Sequence, residues 1–461
     1  MCSTMAGLFA QREKTMKEQI QLSDHFTYGR LIRFTLPSMG MMIFMSVYSV
    51  VDGYFVSNFA GKTPFAALNL IFPVLMIMAT VGFMFGTGGS AIVAKTIGLR
   101  DRESANRYFS LFVYVALGLG VILAAVSIVF LRPIAILLGA EGQLLEDAVL
   151  YGRIILVALP FNILQMLFQS FFVTAEKPEL GLTTTLCAGV ANMVLDAVLV
   201  ISLPQAYKLA GAAIATATSQ TLGGVIPLIY FGRENSSILR LGKMKFEGRI
   251  LLRACINGSS EFMSNIAMNI VGILYNLQLL KYAGEDGIAA YGVMMYVSFV
   301  FAAAFIGYSI GSAPLFGYND GAQNHGELKS LLKKSLILLG ILGAVMVVVG
   351  EVLAAPLSEI FVSYDTALLD LTVSGLRIYA LSFLFMGYAI FGSGFFTALN
   401  DGVTSAIISF LRTLVFQVAS VLVLPLIWGI DGIWYSVVAA EAMAVVISAV
   451  FLVKKRRKYH Y

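Results

Sequence analysis

Charge is what this sequence has least of. Only 12% of its 461 residues are Asp, Glu, Lys or Arg, against roughly 25% in soluble domains. A water-facing surface cannot be built from so little charge, so a soluble multidomain protein is excluded. Cysteine and histidine are nearly as scarce. Cys2, Cys187 and Cys255 lie far apart, and His25, His325 and His460 fall outside the apolar stretches, so no disulfide framework or zinc cluster is available. Nucleotide signatures fail too. Gly61-Lys62-Thr63 imitates the end of a phosphate loop, but Val56 stands where the motif needs glycine. Gly86-Thr87-Gly88 with Ala91 lies in an apolar run rather than after a strand, and reads as close helix packing.

What the chain does have is apolar sequence: 59% of residues, with a mean hydropathy of +0.85. Twelve apolar runs are long enough to cross a bilayer as helices: 29–58, 64–94, 104–131, 144–175, 178–203, 208–232, 247–281, 286–316, 327–354, 366–398, 401–425 and 430–455. The first, beginning near Leu31, is too long for a signal segment and counts as a span. None alternates as a strand would, which excludes an outer-membrane barrel. The expected fold is an all-α polytopic membrane protein.

Lys and Arg are retained on the cytoplasmic side during insertion. The N-terminus, the tail and the loops on their side carry 24 of the 31 basic residues, the opposite loops four, namely Lys62, Arg132, Lys208 and Lys281. Both termini are therefore expected in the cytoplasm. The basic tail caps the last helix; no nucleic-acid partner is expected.

Comparing the chain with itself exposes a duplication. At an offset of 223, Ala60-Gly61 pairs with Ala283-Gly284, Gly88 with Gly311, Gly98 with Gly321 and Thr174-Ala175 with Thr397-Ala398; at 221, Pro204 pairs with Pro425 and Gly211 with Gly432. The expected layout is an N-terminal segment 1–28, a six-helix bundle 29–232, a linker 233–246, a second bundle 247–455 and a basic tail 456–461. Six is even, so both halves insert with one polarity, the parallel-repeat plan of alternating-access carriers. A channel more often builds its pore from identical subunits. No enzyme activity and no bound cofactor are expected, and an ion gradient is the remaining power source.

Acids deep in a span are costly and point to function. Asp52 and Asp196 each lie about nine residues before an external turn, some 13 Å below the surface at about 1.5 Å per residue. At one depth they can share a pocket in which both cannot remain ionised. Each has a polar partner one turn earlier, Tyr48 and Asn192, while Gln165, Gln169, Thr216, Thr218 and Gln220 offer a polar lining or simple interhelical ties. The repeat-equivalent positions hold Tyr275 and Gln417, so any proton chemistry is expected in the first half alone. Glu261 reads as a gate, a partner of Arg253 or a second cation site. Glu441 could pair with Arg412. Pro37 removes a backbone hydrogen bond in span 1 and is either a hinge or a static kink.

Leu36-Pro37, Tyr48-Ser49-Val50-Val51-Asp52 with Phe55-Val56, Asn192-x-x-x-Asp196 and Gly211-Ala212-Ala213-Ile214-Ala215-Thr216 together resemble the multidrug and toxic compound extrusion (MATE) family across essentially the whole chain. The resemblance implies two six-helix bundles that export cationic amphipathic compounds in exchange for protons or sodium. It also implies that Asp52, Asn192 and Asp196 bind the coupling cation, while Tyr48, Gln165, Gln169 and Thr216 line the pocket. Some members use an acid in the tenth helix, where this chain has Gly387, Tyr388 and Ser393. Glu261 resembles the helix 7 glutamate of other branches. The implied setting is a bacterial plasma (inner) membrane, with a monomeric protein surrounded by lipid.

Rival readings are a lipid-linked oligosaccharide flippase, which needs a cationic cavity, and an intramembrane aspartyl protease, which needs Gly-x-Gly-Asp where Asp196 follows Met193-Val194-Leu195.

Overall fold

The computed structural model describes residues 20–363 and 365–461; the start of the segment expected ahead of the first span lies outside the described residues. In the first half, α1 (Tyr28–Phe55, prolonged by a π turn over Val56–Ala60) is followed by α2 (Lys62–Gly98) and α3 (Arg102–Leu137). Then come α4 (Gly142–Thr174), α5 (Pro178–Ser202) and α6 (Lys208–Gly232). The second half starts with an unbroken-looking helix, Gly248–Gly321, which Gly284 at φ 63° divides into α7 (248–283) and α8 (285–321). α9 is His325–Val362, α10 is Thr366–Ala380 plus Phe383–Ala398 bent by 49°, α11 is Gly402–Trp428 and α12 is Ile430–Tyr459. Among the described residues ten helices are long and apolar enough to cross a membrane; the break at Gly284 and the bent pair bring the spans to twelve.

The duplication is visible in the backbone. Gly61 (φ 112°, ψ 177°) and its equivalent Gly284 (φ 63°, ψ −148°) both combine positive φ with extended ψ, a region essentially reserved for glycine, and there the chain turns from α1 to α2 and from α7 to α8. Arg100 and Gln323 also share a left-handed conformation, as do Glu176 and Asn400. Asp101, Asn324 and Asp401 then cap the helices that follow.

Each half has its own buried apolar cluster, but α1 straddles them: Leu31, Phe34 and Met42 pack with the second half. Glycines let the halves meet backbone to backbone at the end of the molecule rich in Lys and Arg. A side chain at Gly88 would strike the carbonyl of Ala254, one at Gly258 that of Met84, and one at Gly321 that of Lys95. Gly307 and Gly311 of α8 admit Met39, Ser38 and Thr35, bringing the Pro37 turn of α1 to this seam. The side-chain ties across it are Lys95 Nζ to Asp320 Oδ2 at 2.7 Å, Asn257 Nδ2 to the Gly88 carbonyl at 3.4 Å and Asn400 Nδ2 to the Ala91 carbonyl at 3.2 Å. Among the described residues, no hydrogen bond or ion pair between the bundles is found at the opposite end.

The segments expected as linker and tail are packed. Leu239 is buried in the first half's core, the amides of Arg240 and Gly242 donate to Asn106 Oδ1 and Ser110 Oγ of α3, and Arg107 pairs with Glu247 at 3.4 Å. α12 continues to Tyr459, because Arg456, Arg457 and Lys458 suit the negative end of its dipole. Tyr459 and Lys455 donate to Asp401 Oδ2 at 2.9 and 3.1 Å. Burial opposes ionisation of Asp401, but these bonds outweigh it and hold the carboxyl below its ordinary range. Ahead of α1, Leu22 donates its amide to Glu176, whereas Phe26 and His25 bond Glu327, so the incoming segment bridges both halves.

Candidate functional site

α4 is the most enclosed helix of the first half, and the polar side chains it holds at the centre therefore need partners. α1 approaches α5 closely because Gly189 has no side chain; a Cβ there would collide with Tyr48 and Phe44. This contact, together with the i, i+4 spacing of Tyr48 with Asp52 and of Asn192 with Asp196, brings the two carboxyls side by side. Asp196 is sealed from solvent at 0% exposure while Asp52 is half-buried. Thr216 Oγ1 of α6 lies 3.4 Å from Asp52 Oδ1, a long hydrogen bond. No hydroxyl, amide or cation among the described residues donates to either oxygen of Asp196.

Two adjacent carboxylates in such a place repel and have lost hydration; a proton held between them relieves both costs. The surrounding groups reinforce this need. Both amide atoms of Asn192 and of Gln165, Oε1 of Gln169 and Oε1 of Gln220 are buried without a partner. Gln165 lies beside Tyr48, seated where Gly223 of α6 leaves room, and Gln169 Nε2 reaches Met45 Sδ at 3.1 Å. The structure thus brings Tyr48, Asp52, Asp196, Gln165 and Thr216 together, with Asn192 one turn away on α5. Thr218 is not among them; its hydroxyl turns back to the Ile214 carbonyl.

Tyr151 of α4 escaped the sequence reading. It is buried beside Thr216 and within the field of both aspartates. Its separation of fourteen residues from Gln165, close to four helical turns, was the available signal.

Glu261 stands apart from this cluster, in the field of Arg412, and no ion pair among the described residues joins it to Arg253. Arg412 itself grips Glu441 through Nε (3.1 and 2.9 Å) and one terminal nitrogen (2.9 Å). Tyr275 and Gln417, the equivalents of the aspartates, bond each other at 2.9 Å. No group of three or more His, Cys, Asp or Glu side chains gathers among the described residues.

A two-fold repeated bundle of membrane-spanning helices with an adjacent carboxyl pair in its first half fits a membrane transporter. The MatE family model matches residues 37–198 and 262–423, and the chain belongs to this family of multidrug and toxic compound extrusion efflux transporters. Multidrug export protein MepA of Staphylococcus haemolyticus (strain JCSC1435) is 26% identical over 431 residues, covering 93% of this chain and 94% of that protein. MepA of Staphylococcus aureus (strain MRSA252) is 24% identical over 418 residues, covering 90% and 91%. Among solved structures, a multidrug resistance MATE family transporter of the MOP superfamily, described as outward-facing, superposes with a TM-score of 0.90 at 20% identity, covering 96% of this chain and 99% of that one. A MOP superfamily transporter from Pyrococcus furiosus gives 0.89 at 20% identity, with the same coverage.

Proposed function

We propose that this transporter is a proton-coupled antiporter that exports cationic amphipathic compounds by alternating access. The observation that carries the reading is the carboxyl pair, enclosed among unpartnered polar atoms in one half only. Deprotonated, Asp52 and Asp196 supply the negative charge that attracts a cation, while the apolar wall between the halves receives its hydrophobic body. Protonation from outside removes that charge and expels the cargo. The seam closed at the basic end supports an outward-open state, with the basic end and both termini in the cytoplasm of a bacterial cell. Pro37, placed at the seam on the helix that carries Asp52, is the proposed hinge linking the proton to closure. The protein works as a monomer in this scheme, and Glu261 serves its own half beside Arg412.

Sodium coupling is the second reading. It is favoured by the unpartnered oxygens of Asn192 and Asp196, which with Asp52 make a set of hard donors. The test is movement of a fluorescent cationic dye in proteoliposomes under a pH gradient without sodium, for wild type and Asp52→Asn. Uphill movement lost in the variant is expected. A wild type inert until sodium is supplied changes the coupling ion; inertness under both gradients overturns export of cationic drugs and favours the flippase.

A further inference from the structure

A groove runs down the outer face of the second half between the start of α7 and the start of α11, away from the carboxyl pair. Its upper part, a cavity of about 340 Å³, is lined by Arg249, Leu252, Arg253, Asn400 and Asp401 among others. Its lower part, about 500 Å³, is apolar, with Met263, Ala406, Ile407, Phe410 and Leu411 on its walls. Ile256 and Val403 belong to both, so the two are one amphipathic trough.

The charge at the top is positive. Arg249 and Arg253 are exposed, one helical turn apart on one face, and neither has an ion pair among the described residues. The one carboxylate among the lining residues, Asp401, is already answered by Lys455 at 3.1 Å, Lys458 at 3.7 Å and Tyr459, and Glu247, two residues before Arg249, pairs with Arg107. The guanidiniums therefore present a forked donor pair to an external anion. From Val403 to Leu411 the apolar floor descends about 12 Å at 1.5 Å per residue, far enough into the hydrocarbon to seat part of an acyl chain.

We propose that this trough binds one anionic phospholipid, its phosphate held by Arg249 and Arg253 and an acyl chain laid along Ile256, Ile407 and Phe410. A zwitterionic lipid carries a phosphate but its own ammonium offsets the charge the arginines would meet, and a free phosphate lacks the chain. Basic pockets between spans at the cytoplasmic surface are the usual place for such headgroups. The site depends on the bundle spanning a membrane and not on the transport reading.

The experiment is native mass spectrometry of the full-length protein, purified in detergent and titrated with phosphatidylglycerol, phosphatidylcholine or inorganic phosphate. One retained phosphatidylglycerol is expected, with at least tenfold weaker retention of phosphatidylcholine. Arg249→Gln with Arg253→Gln should abolish that preference, and Ala406→Trp, which fills the apolar part while keeping both arginines, should weaken retention comparably. Arg233→Gln with Arg240→Gln, equal in charge change but outside the trough, should leave it intact. Equal retention of both lipids, retention unchanged in the trough variants, the same loss in the control variant, or displacement by inorganic phosphate would each overturn the proposal.

Discussion

The two halves of this transporter share a backbone plan and differ in what stands at one pair of positions. In the first half Asp52 and Asp196 are adjacent, and no donor for Asp196 stands among the described residues; in the second, Tyr275 donates to Gln417 at 2.9 Å. The geometry that brings α1 to α5 also brings α7 to α11, so duplication supplied one contact twice. One copy is a neutral bond complete in itself. The other is left needing a proton or a cation. A contact is inert or reactive according to whether its hydrogen bonds close, not according to where the fold puts it.

The largest effect should come from making the reactive copy resemble the inert one. Asp196→Gln with Asp52→Tyr is expected to reduce gradient-driven dye movement in proteoliposomes to the leak level while the protein still elutes as a folded species. Coupled transport that survives would remove the carboxyls from the mechanism. Next, Arg412→Leu leaves Glu441, which is 3% exposed, as an uncompensated buried charge, a loss of about 3–5 kcal/mol. Thermal unfolding in detergent measures it, and Arg412→Met with Glu441→Leu should recover most of the loss. Gln417→Leu opens the second half's bond and strands the Tyr275 hydroxyl, costing about 1–3 kcal/mol while transport continues. An equal loss of transport would mean that the halves divide the chemistry.

The smallest effect concerns Asp401 at the basic end. Its carboxyl is held below the ordinary range in the folded protein, so its contribution is present above the unfolded value, about 3.9, and is lost as pH falls through the lower folded one. Asp401→Asn should therefore lower the unfolding temperature at neutral pH, and the difference from wild type should shrink on acidification.

Much of this comparison was legible in the sequence. Apolar runs gave twelve spans, and the paired glycines, Gly61 with Gly284 among them, gave the repeat and one equivalent turn in each half. The Arg412 to Glu441 pair was one of several conceivable partnerships, because a span's sequence does not say which face meets which neighbour. The bend within α10 at residues 381–382 carried no proline or glycine to announce it. The partners of the tail and linker were not legible, since polar stretches show their charge but not the carboxylate or amide waiting elsewhere: Asp401 receives Lys455 and Tyr459, and Asn106 and Ser110 receive the linker amides. Tyr151 was hidden for a similar reason: an aromatic among apolar residues looks like packing until Thr216 and the aspartates surround it.

The moored linker has a mechanical consequence. Arg240, Gly242 and Glu247 are all fastened to α3, so the start of α7 is riveted to the first half at one corner, with only 243–246 spanning between rivets. A rearrangement that moves the start of α7 away from α3 has to break the two amide bonds to Asn106 and Ser110 or carry α3 with it, so the loop is a tether as well as a connection.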